Sequence, residues 1–319
     1  MGAEEDYMYF LSFFFPTFFG LSLTMQVILF SFIISNTSSK MEVFRFIMGH
    51  TSACNSIVLL SVCFCQFRMI SSNVPVEIRC YGPSRYFDSI YNYILHQLFQ
   101  FFLYSSTMSV MVTLYIKLMS FNWMKLSKMA VLRSFFVFNI PVFLCGFLYA
   151  YLTMTALFSK EIQEYNAIKN KDVSVYSVAG VLQLQTVSLI IFILIVGSVL
   201  LFPFVSFHIR WRIIKHINNH LNRFSNHNKT HHRSFATGLT IQSIVPTITY
   251  FPMFCLYVYC VTTRTELLFQ QYFIYIGSSF PALIDPFVTL YYVIPYRKKL
   301  LKWFRYRNAS VAPGSTVMT

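Results

Sequence analysis

The chain has 319 residues, of which 56% are hydrophobic and 11% are charged, and its formal net charge is +14. An ordinary soluble domain carries roughly 25% charged residues, so this chain has too few to cover the outside of a soluble core of its size. The composition excludes a disordered, fibrous or disulfide-scaffold protein and most soluble enzymes, and it indicates an integral membrane protein.

Seven apolar runs are long enough to cross a bilayer, because a spanning helix needs about 20 mainly apolar residues. Helices are the expected form, since backbone polar groups must be satisfied without water. In chain order, the predicted spans are residues 9–34, 46–66, 91–116, 134–158, 177–207, 235–263 and 267–294. The sequence therefore predicts an all-α membrane protein with a seven-helix transmembrane domain over residues 1–294.

The distribution of lysine and arginine predicts the orientation of the spans. The segments on the side of the N-terminus hold seven basic residues, and those on the opposite side hold eighteen. Since basic residues collect on the cytoplasmic side, we expect the N-terminus outside and the C-terminus in the cytoplasm. Glycosylation sequons at Asn36, Asn228 and Asn308 fall on the predicted cytoplasmic side. The sequon pattern is common by chance, so we take the orientation from the charge bias.

Residues 295–319 form the predicted cytoplasmic tail. Apolar and aromatic residues recur there at helical spacing among basic ones, as Tyr296, Leu300, Trp303 and Phe304. That pattern predicts a short amphipathic helix on the inner leaflet of the lipid bilayer. The basic clusters thus fit membrane topology, and we expect no nucleic-acid partner.

Asp285 is the only acidic residue within a predicted span, and Pro286 follows it. A charge in a span is costly and as a rule faces the interior of the bundle. The proline removes a backbone hydrogen bond and loosens the helix. We interpret Asp285 and Pro286 as a conformational switch in the inner half of the last span. A protonated, purely structural aspartate is the alternative.

Seven spans with an outside N-terminus and basic inner loops match the rhodopsin-like layout of G-protein-coupled receptors, and short motifs carry a closer resemblance. They are Gln66-Phe-Arg68-Met-Ile70, Tyr81-Gly-Pro83, Leu239-Thr-Ile-Gln242 and Pro281-Ala-Leu-Ile-Asp285-Pro286. The chain resembles the nematode serpentine chemoreceptors of the Str superfamily and is most similar to class delta. The resemblance implies a chemosensory receptor in the plasma membrane, at the sensory cilium. Such a receptor takes a small-molecule cue from outside and activates a heterotrimeric G protein.

We predict a ligand pocket between the outer halves of the helices. Aromatic walls with few polar groups suit a small, mostly apolar molecule, and no acidic residue is present there to balance an amine. The polar candidates are His96, Gln97, Gln100, Gln183, Tyr257, Gln271 and Tyr275. For each one, packing or a hydrogen bond between helices is the alternative.

The predicted cytoplasmic side carries basic residues that suit an acidic G-protein surface or anionic lipid. The candidates for this G-protein face are Lys117, Arg210, Arg212, Lys215, Arg233 and Arg297.

Cys80 lies in a predicted outer loop, whereas most of the other cysteines lie within spans. Cys80 could form a disulfide with Cys260 or with Cys65, which are near the outer ends of their helices, or it could stay free.

The sequence predicts no metal site, no cofactor and no enzyme. The motifs for nucleotide binding, serine hydrolysis and zinc are missing. Only His50, His96 and Asp285 offer catalytic groups within the spans, at different depths. A ligand-gated ion channel or transporter with inverted topology is the main alternative function, although we find neither an inverted repeat nor a ring-forming acidic set.

Overall fold

The computed structural model describes residues 3–35, 42–73, 76–122, 128–170, 175–182, 186–219 and 226–311. The helices are α1 (Ala3–Ile34), α2 (Glu42–Cys65), α3 (Ser89–Asn122), α4 (Lys128–Phe138), α5 (Ile140–Phe158), α6 (Lys160–Lys169), α7 (Thr186–Asn219), α8 (Asn226–Thr263), α9 (Leu268–Tyr292) and α10 (Ile294–Val311). The strands are β1 (Phe67–Ile70), β2 (Val76–Cys80) and β3 (Ser177–Leu182), and one turn of 3₁₀ helix covers Pro83–Tyr86.

Seven of the described helices, α1, α2, α3, α5, α7, α8 and α9, are long and apolar enough to cross a membrane. The predicted number of spans is therefore confirmed, and the chain is a multi-pass membrane protein. Large apolar side chains such as Phe147 and Phe204 are exposed on the outside of the bundle, by 76% and 75%. Lipid can cover such side chains, whereas water would not.

A small antiparallel sheet in the order β1-β2-β3 lies across one end of the bundle, which we call the sheet end. The all-α prediction missed it. Residues 177–182 were expected to begin the fifth span, but they form β3, and α7 begins only at Thr186. The reason is physical, because a short apolar run rich in valine suits a buried strand as well as a helix, and periodicity cannot separate the two.

The fourth predicted span is also corrected. Residues 134–158 were expected to form one helix, but α4 ends at Phe138 and α5 begins at Ile140. Pro141 lies at the start of α5 and has no backbone N–H, so the helix breaks one turn earlier. Asn139 lies between the two helices, and its side-chain amide donates to the carbonyl of Phe135 at 2.8 Å.

The turn from α2 into the sheet depends on two special backbone positions. Gln66 has a φ of 46°, in the left-handed region, so the chain reverses directly after α2. The chain comes back to the end of α2 at Gly82, whose N–H donates to the carbonyl of Cys65 at 3.0 Å. A Cβ at residue 82 would lie 2.3 Å from the carbonyl oxygen of Phe64, so only glycine fits.

The apolar core consists mainly of two clusters separated by a polar layer. The cluster at the sheet end includes Leu11, Val58 and Phe99, and the cluster at the opposite end, which we call the tail end, includes Leu29, Ile47 and Leu114. Between them, buried polar side chains face one another from several helices, among them Gln26, Ser52, Asn55, Ser106 and Thr289. The tail begins with α10, where Lys299 donates to the hydroxyl of Ser35 at 2.6 Å.

A buried carboxylate ties α6 to the sheet. Glu77 on β2 accepts hydrogen bonds from Arg79 at 3.1 Å and 2.9 Å and from the hydroxyl of Tyr165 on α6. Lys169 of α6 lies 3.6 Å away. Burial by itself would raise the pKa of Glu77, but these hydrogen bonds and positive charges outweigh burial and lower its pKa.

We expect the Glu77 carboxylate to make the sheet end sensitive to acid. Because the pKa is lowered on folding, its stabilisation is present above the ordinary carboxyl value of 4.5 and is lost as the pH falls through the folded pKa. The melting temperature of the purified wild type should therefore fall more steeply below that pH than the melting temperature of Glu77→Gln. Glu161→Gln, an exposed change on α6, should follow the wild type. Parallel curves for wild type and Glu77→Gln would contradict the assignment.

Candidate ligand-binding site

A cavity of about 340 Å³ lies between α3, α5, α7, α8 and α9, and we call it the bundle cavity. It occupies the half of the bundle nearest the sheet, and Met69 of β1 forms part of its roof. Its walls are mainly apolar and aromatic, with Phe99, Leu103, Phe192 and Phe254 among them. None of the described residues that line it is charged. Its volume falls at the lower end of the range for small-molecule sites, roughly 300–1,000 Å³.

Four of the predicted pocket residues line this cavity, namely Gln97, Gln100, Tyr257 and Tyr275. His96 lies behind them with no exposed surface and holds two of them in place. Its Nε2 lies 2.9 Å from the hydroxyl of Tyr275 and 3.2 Å from the amide nitrogen of Gln100. Nε2 of His96 is therefore within hydrogen-bonding distance of both side chains. His96 therefore positions the wall of the cavity.

Gln271 does not reach the bundle cavity, which corrects its predicted role. Its side-chain oxygen accepts from Nε and Nη2 of Arg68, at 3.0 Å and 2.7 Å. Arg68 lies on β1, is buried, and also donates to Glu4 at 2.5 Å and to the hydroxyl of Tyr81 at 2.8 Å. A buried guanidinium needs such partners, so Gln271 is a structural residue that anchors the sheet to α9. Gln183 lies outside the described residues.

The predicted disulfide between Cys80 and Cys260 is not what the structure shows. Cys80 and Cys65 are neighbours that influence each other's thiol, whereas Cys260 lies beside Thr265, and all three are free thiols. The reason is the register of the hairpin. Phe67 pairs with Cys80, so the end of β2 returns to the end of α2. Of the two candidate partners, Cys65 is the neighbour.

Asp285 lies at the centre of a hydrogen-bonded network in the polar layer. Its two carboxylate oxygens accept from Asn55 of α2 at 3.2 Å and from Gln242 of α8. Gln242 also donates to Thr289 at 2.7 Å, and Ser106 of α3 donates to Asn55 at 2.5 Å. The network joins α2, α3, α8 and α9. Sequence reasoning found Asp285 and quoted Gln242 within a motif, but it did not connect the two.

A line of small voids joins the bundle cavity to the tail end. One void of about 20 Å³ is lined by Asp285 and shares Leu103, Thr107 and Tyr250 with the bundle cavity. A second void of about 20 Å³ shares Asp285 with the first and reaches Tyr292 near the end of α9. Each is about the size of one water molecule. Tyr250 therefore separates the bundle cavity from the surroundings of Asp285.

The described residues of the predicted G-protein face lie at the tail end. Arg212, Lys215 and Arg233 are exposed or partly exposed on α7 and α8, and Arg233 donates to Asn218 at 2.7 Å, which links the ends of these helices. Arg210 is half-buried on α7, and Arg297 of α10 lies 5.9 Å from the ring of Tyr291. Residue 117 belongs to α3, but its side chain lies outside the described part of the chain.

A wider cleft of about 700 Å³ opens at the sheet end, between the start of α3, the end of α5, α6 and β3. It shares Leu152 and Ser188 with the bundle cavity, so only a thin wall separates the two spaces. The sequence analysis missed this cleft, because it depends on α6 and on β3, and neither was predicted.

Comparison with known proteins identifies the family. The family model of the serpentine type 7TM GPCR chemoreceptor Srd matches residues 11–302. The chain belongs to the Srd family. Serpentine receptor class delta-40 of Caenorhabditis elegans is 36% identical over 313 residues, which cover 97% of each chain. Class delta-47 and class delta-45 of the same organism are each 32% identical, and their matches cover 92% of this chain and 93% of theirs.

The family resemblance noted in the sequence is thus confirmed, and this Srd chain is a serpentine chemoreceptor by descent. The motif residues now have structural reasons. Arg68 is buried and joins the sheet to α9. Gly82 lets the chain pass close to the end of α2, and Gln242 donates a hydrogen bond to Asp285. All of them hold helices or strands together.

We expect a mild oxidant to join Cys65 to Cys80, because these two free thiols are neighbours. Peptide mapping without reduction should find this disulfide and should find Cys260 alkylated. Cys260→Ser should leave the cross-link intact, whereas Cys65→Ser should leave Cys80 free. A cross-linked peptide that contains Cys80 and Cys260 would contradict the assignment.

Proposed function

We propose that this Srd chain is a chemosensory G-protein-coupled receptor of the plasma membrane, at the sensory cilium. It binds a small, mostly apolar cue in the bundle cavity from the extracellular side and activates a heterotrimeric G protein at the tail end. The observation that carries the proposal is that Tyr250 lines both the bundle cavity and the void beside Asp285. A ligand that moves Tyr250 would act on the Asp285 network directly.

The two helices that meet at Asp285 also form walls of the bundle cavity. Tyr250 and Phe254 of α8 and Ile274 and Tyr275 of α9 line it. A bound molecule therefore favours one relative position of α8 and α9 over another, and it shifts the equilibrium by the difference in its affinity for the two. Pro246 and Pro252 interrupt the backbone hydrogen bonds of α8 in this region, so α8 bends more easily.

Asp285 can exchange hydrogen-bond partners between two different packings of the helices. Its oxygens bond to α2 and α8, and Pro286 weakens the backbone of α9 next to it. If α8 moves, Gln242 can leave Asp285 and keep Thr289, which lies 2.7 Å away. A discrete change of partners of this kind suits a two-state switch better than a gradual deformation of the core.

The resting contacts between α8 and α9 continue to the tail end. A Cβ at Gly238 would lie 2.5 Å from Cβ of Tyr292, and the hydroxyl of Ser234 donates to the carbonyl of Tyr292 at 3.2 Å. A shift of α8 would separate these groups and open the space beside the basic ends of α7 and α8. Exposed Arg212, Lys215 and Arg233 would then attract an acidic G-protein surface.

We expect Asp285→Ala to reduce the response to a cue by at least roughly tenfold while the receptor still reaches the cell surface, since coupling between sites is commonly worth 5–150-fold. The measurement is a second-messenger reporter in cells that express the receptor, screened with volatile and water-soluble chemicals. Glu266→Ala removes an exposed carboxylate outside the network and is the matched control. Loss of surface delivery in Asp285→Ala would instead indicate a structural role.

An N-terminal epitope tag on the same receptor tests its orientation. Antibody should stain intact cells, because the N-terminus is expected outside. Staining only after permeabilisation, together with a cue-evoked ionic current that needs no G protein, would overturn the proposal in favour of a channel.

A further inference from the structure

Two side chains that line the bundle cavity carry buried polar atoms without a hydrogen-bond partner. They are Gln97, at both the oxygen and the nitrogen of its amide, and Tyr250, at its hydroxyl. Both side chains are buried, with exposed fractions of 5% and 3%. A buried polar group without a partner is costly, so a molecule that offers a hydrogen bond to these atoms gains affinity there.

Several other polar side chains around the cavity already have partners. Gln100 accepts from Tyr149 at 2.6 Å, Tyr104 lies 2.7 Å from the hydroxyl of Ser198, and Tyr275 bonds to His96. Ser278 and Thr107 donate to carbonyls of their own helices at 2.6 Å and 3.0 Å. Gln97 and Tyr250 differ from these groups because their polar atoms are buried without a partner.

Neither unpartnered group has a neighbour that completes it. Tyr93 approaches the amide of Gln97, and Thr107 approaches the hydroxyl of Tyr250, but neither pair reaches hydrogen-bonding geometry. Because Thr107 of α3 approaches the Tyr250 hydroxyl, the position of Thr107 along α3 shows how deep in the bundle that hydroxyl lies. Gln97 and Thr107 lie ten residues apart on α3, which corresponds to about 15 Å along a helix.

The unpartnered groups therefore lie near opposite ends of the bundle cavity. Between them the wall is apolar and aromatic, with Leu103, Ile191, Phe192 and Phe254. A hydrogen bond of about 3 Å at each end leaves about 9 Å between the polar atoms of a molecule that reaches both. No charged residue lines the cavity among those described, so an ionised group would be buried without a counter-charge.

From this pattern we infer that the bundle cavity takes an elongated, uncharged molecule with a hydroxyl or carbonyl oxygen at each end and a hydrocarbon middle. The outer oxygen bonds to the amide of Gln97, and the inner oxygen bonds to the hydroxyl of Tyr250. This inference rests on the proposed receptor function and adds the chemical class of its ligand. Tyr250 also borders the void beside Asp285, so the inner oxygen binds next to the switch.

The test uses direct binding, so that it does not depend on G-protein coupling. Straight-chain diols with one hydroxyl at each end, from butanediol to decanediol, are added to the purified full-length receptor, and apparent affinities are taken from the rise in melting temperature. We expect affinity to pass through a maximum between hexanediol and octanediol. The alcohol of equal chain length, with one hydroxyl only, should bind about tenfold more weakly.

Variants assign the two ends. Gln97→Leu and Tyr250→Phe each remove one anchor and should each abolish the preference for the diol over the matched alcohol. Tyr104→Phe is the matched control, since its hydroxyl is already bonded to Ser198, and it should keep the preference. The melting temperature of each variant without ligand shows whether it has folded.

Three results would overturn the inference. They are affinity that rises with chain length without a maximum, equal binding of diol and alcohol by the wild type, and no stabilisation by any diol. A clear maximum together with a silent second-messenger reporter would instead support the inference and count against the proposed signalling.

Discussion

The structure depends on the requirement that polar groups within a bilayer find their partners inside the protein, because lipid offers none. The backbone meets this requirement by forming helices. The side chains meet it in the polar layer, where Asn55, Gln242 and Asp285 bond across α2, α8 and α9. Gln26 of α1 joins the same layer through a bond to the carbonyl of Ala282, at 2.6 Å. The layer thus holds helices that apolar contacts alone would allow to slide.

The same requirement shapes the sheet end, where two charges are buried. Arg68 joins β1 to α1 and α9 through Glu4 and Gln271, and Glu77 joins β2 to α6 through Tyr165. Removing one partner of such a group leaves an uncompensated buried charge, so the contacts are specific as well as strong. Together they place the sheet over the bundle cavity, to which β1 contributes Met69. The roof of the bundle cavity is therefore held by contacts of charged side chains that lie outside the cavity.

Where a polar group has no partner, its position becomes informative. Gln97 and Tyr250 face a cavity large enough for a small molecule, and the cavity is separated from the Asp285 layer only by Tyr250 and its neighbours. In the proposed function, recognition and switching therefore meet at Tyr250. The path continues along α8 and α9 to Gly238 and Tyr292, so the geometry offers a direct mechanical route between the two ends of the bundle.

The sequence by itself determined the seven spans, the family and the position of Asp285 towards other helices. Apolar length and a lone charge in lipid can be read without knowledge of tertiary contacts. The sequence also pointed to Gln97, Gln100, Tyr257 and Tyr275. Only the tertiary structure decided that Gln271 serves Arg68, that Cys80 meets Cys65 and that residues 177–182 form a strand. Each of these depends on contacts between segments far apart in the chain or on a hairpin register, and spacing along the sequence carries no information about such contacts.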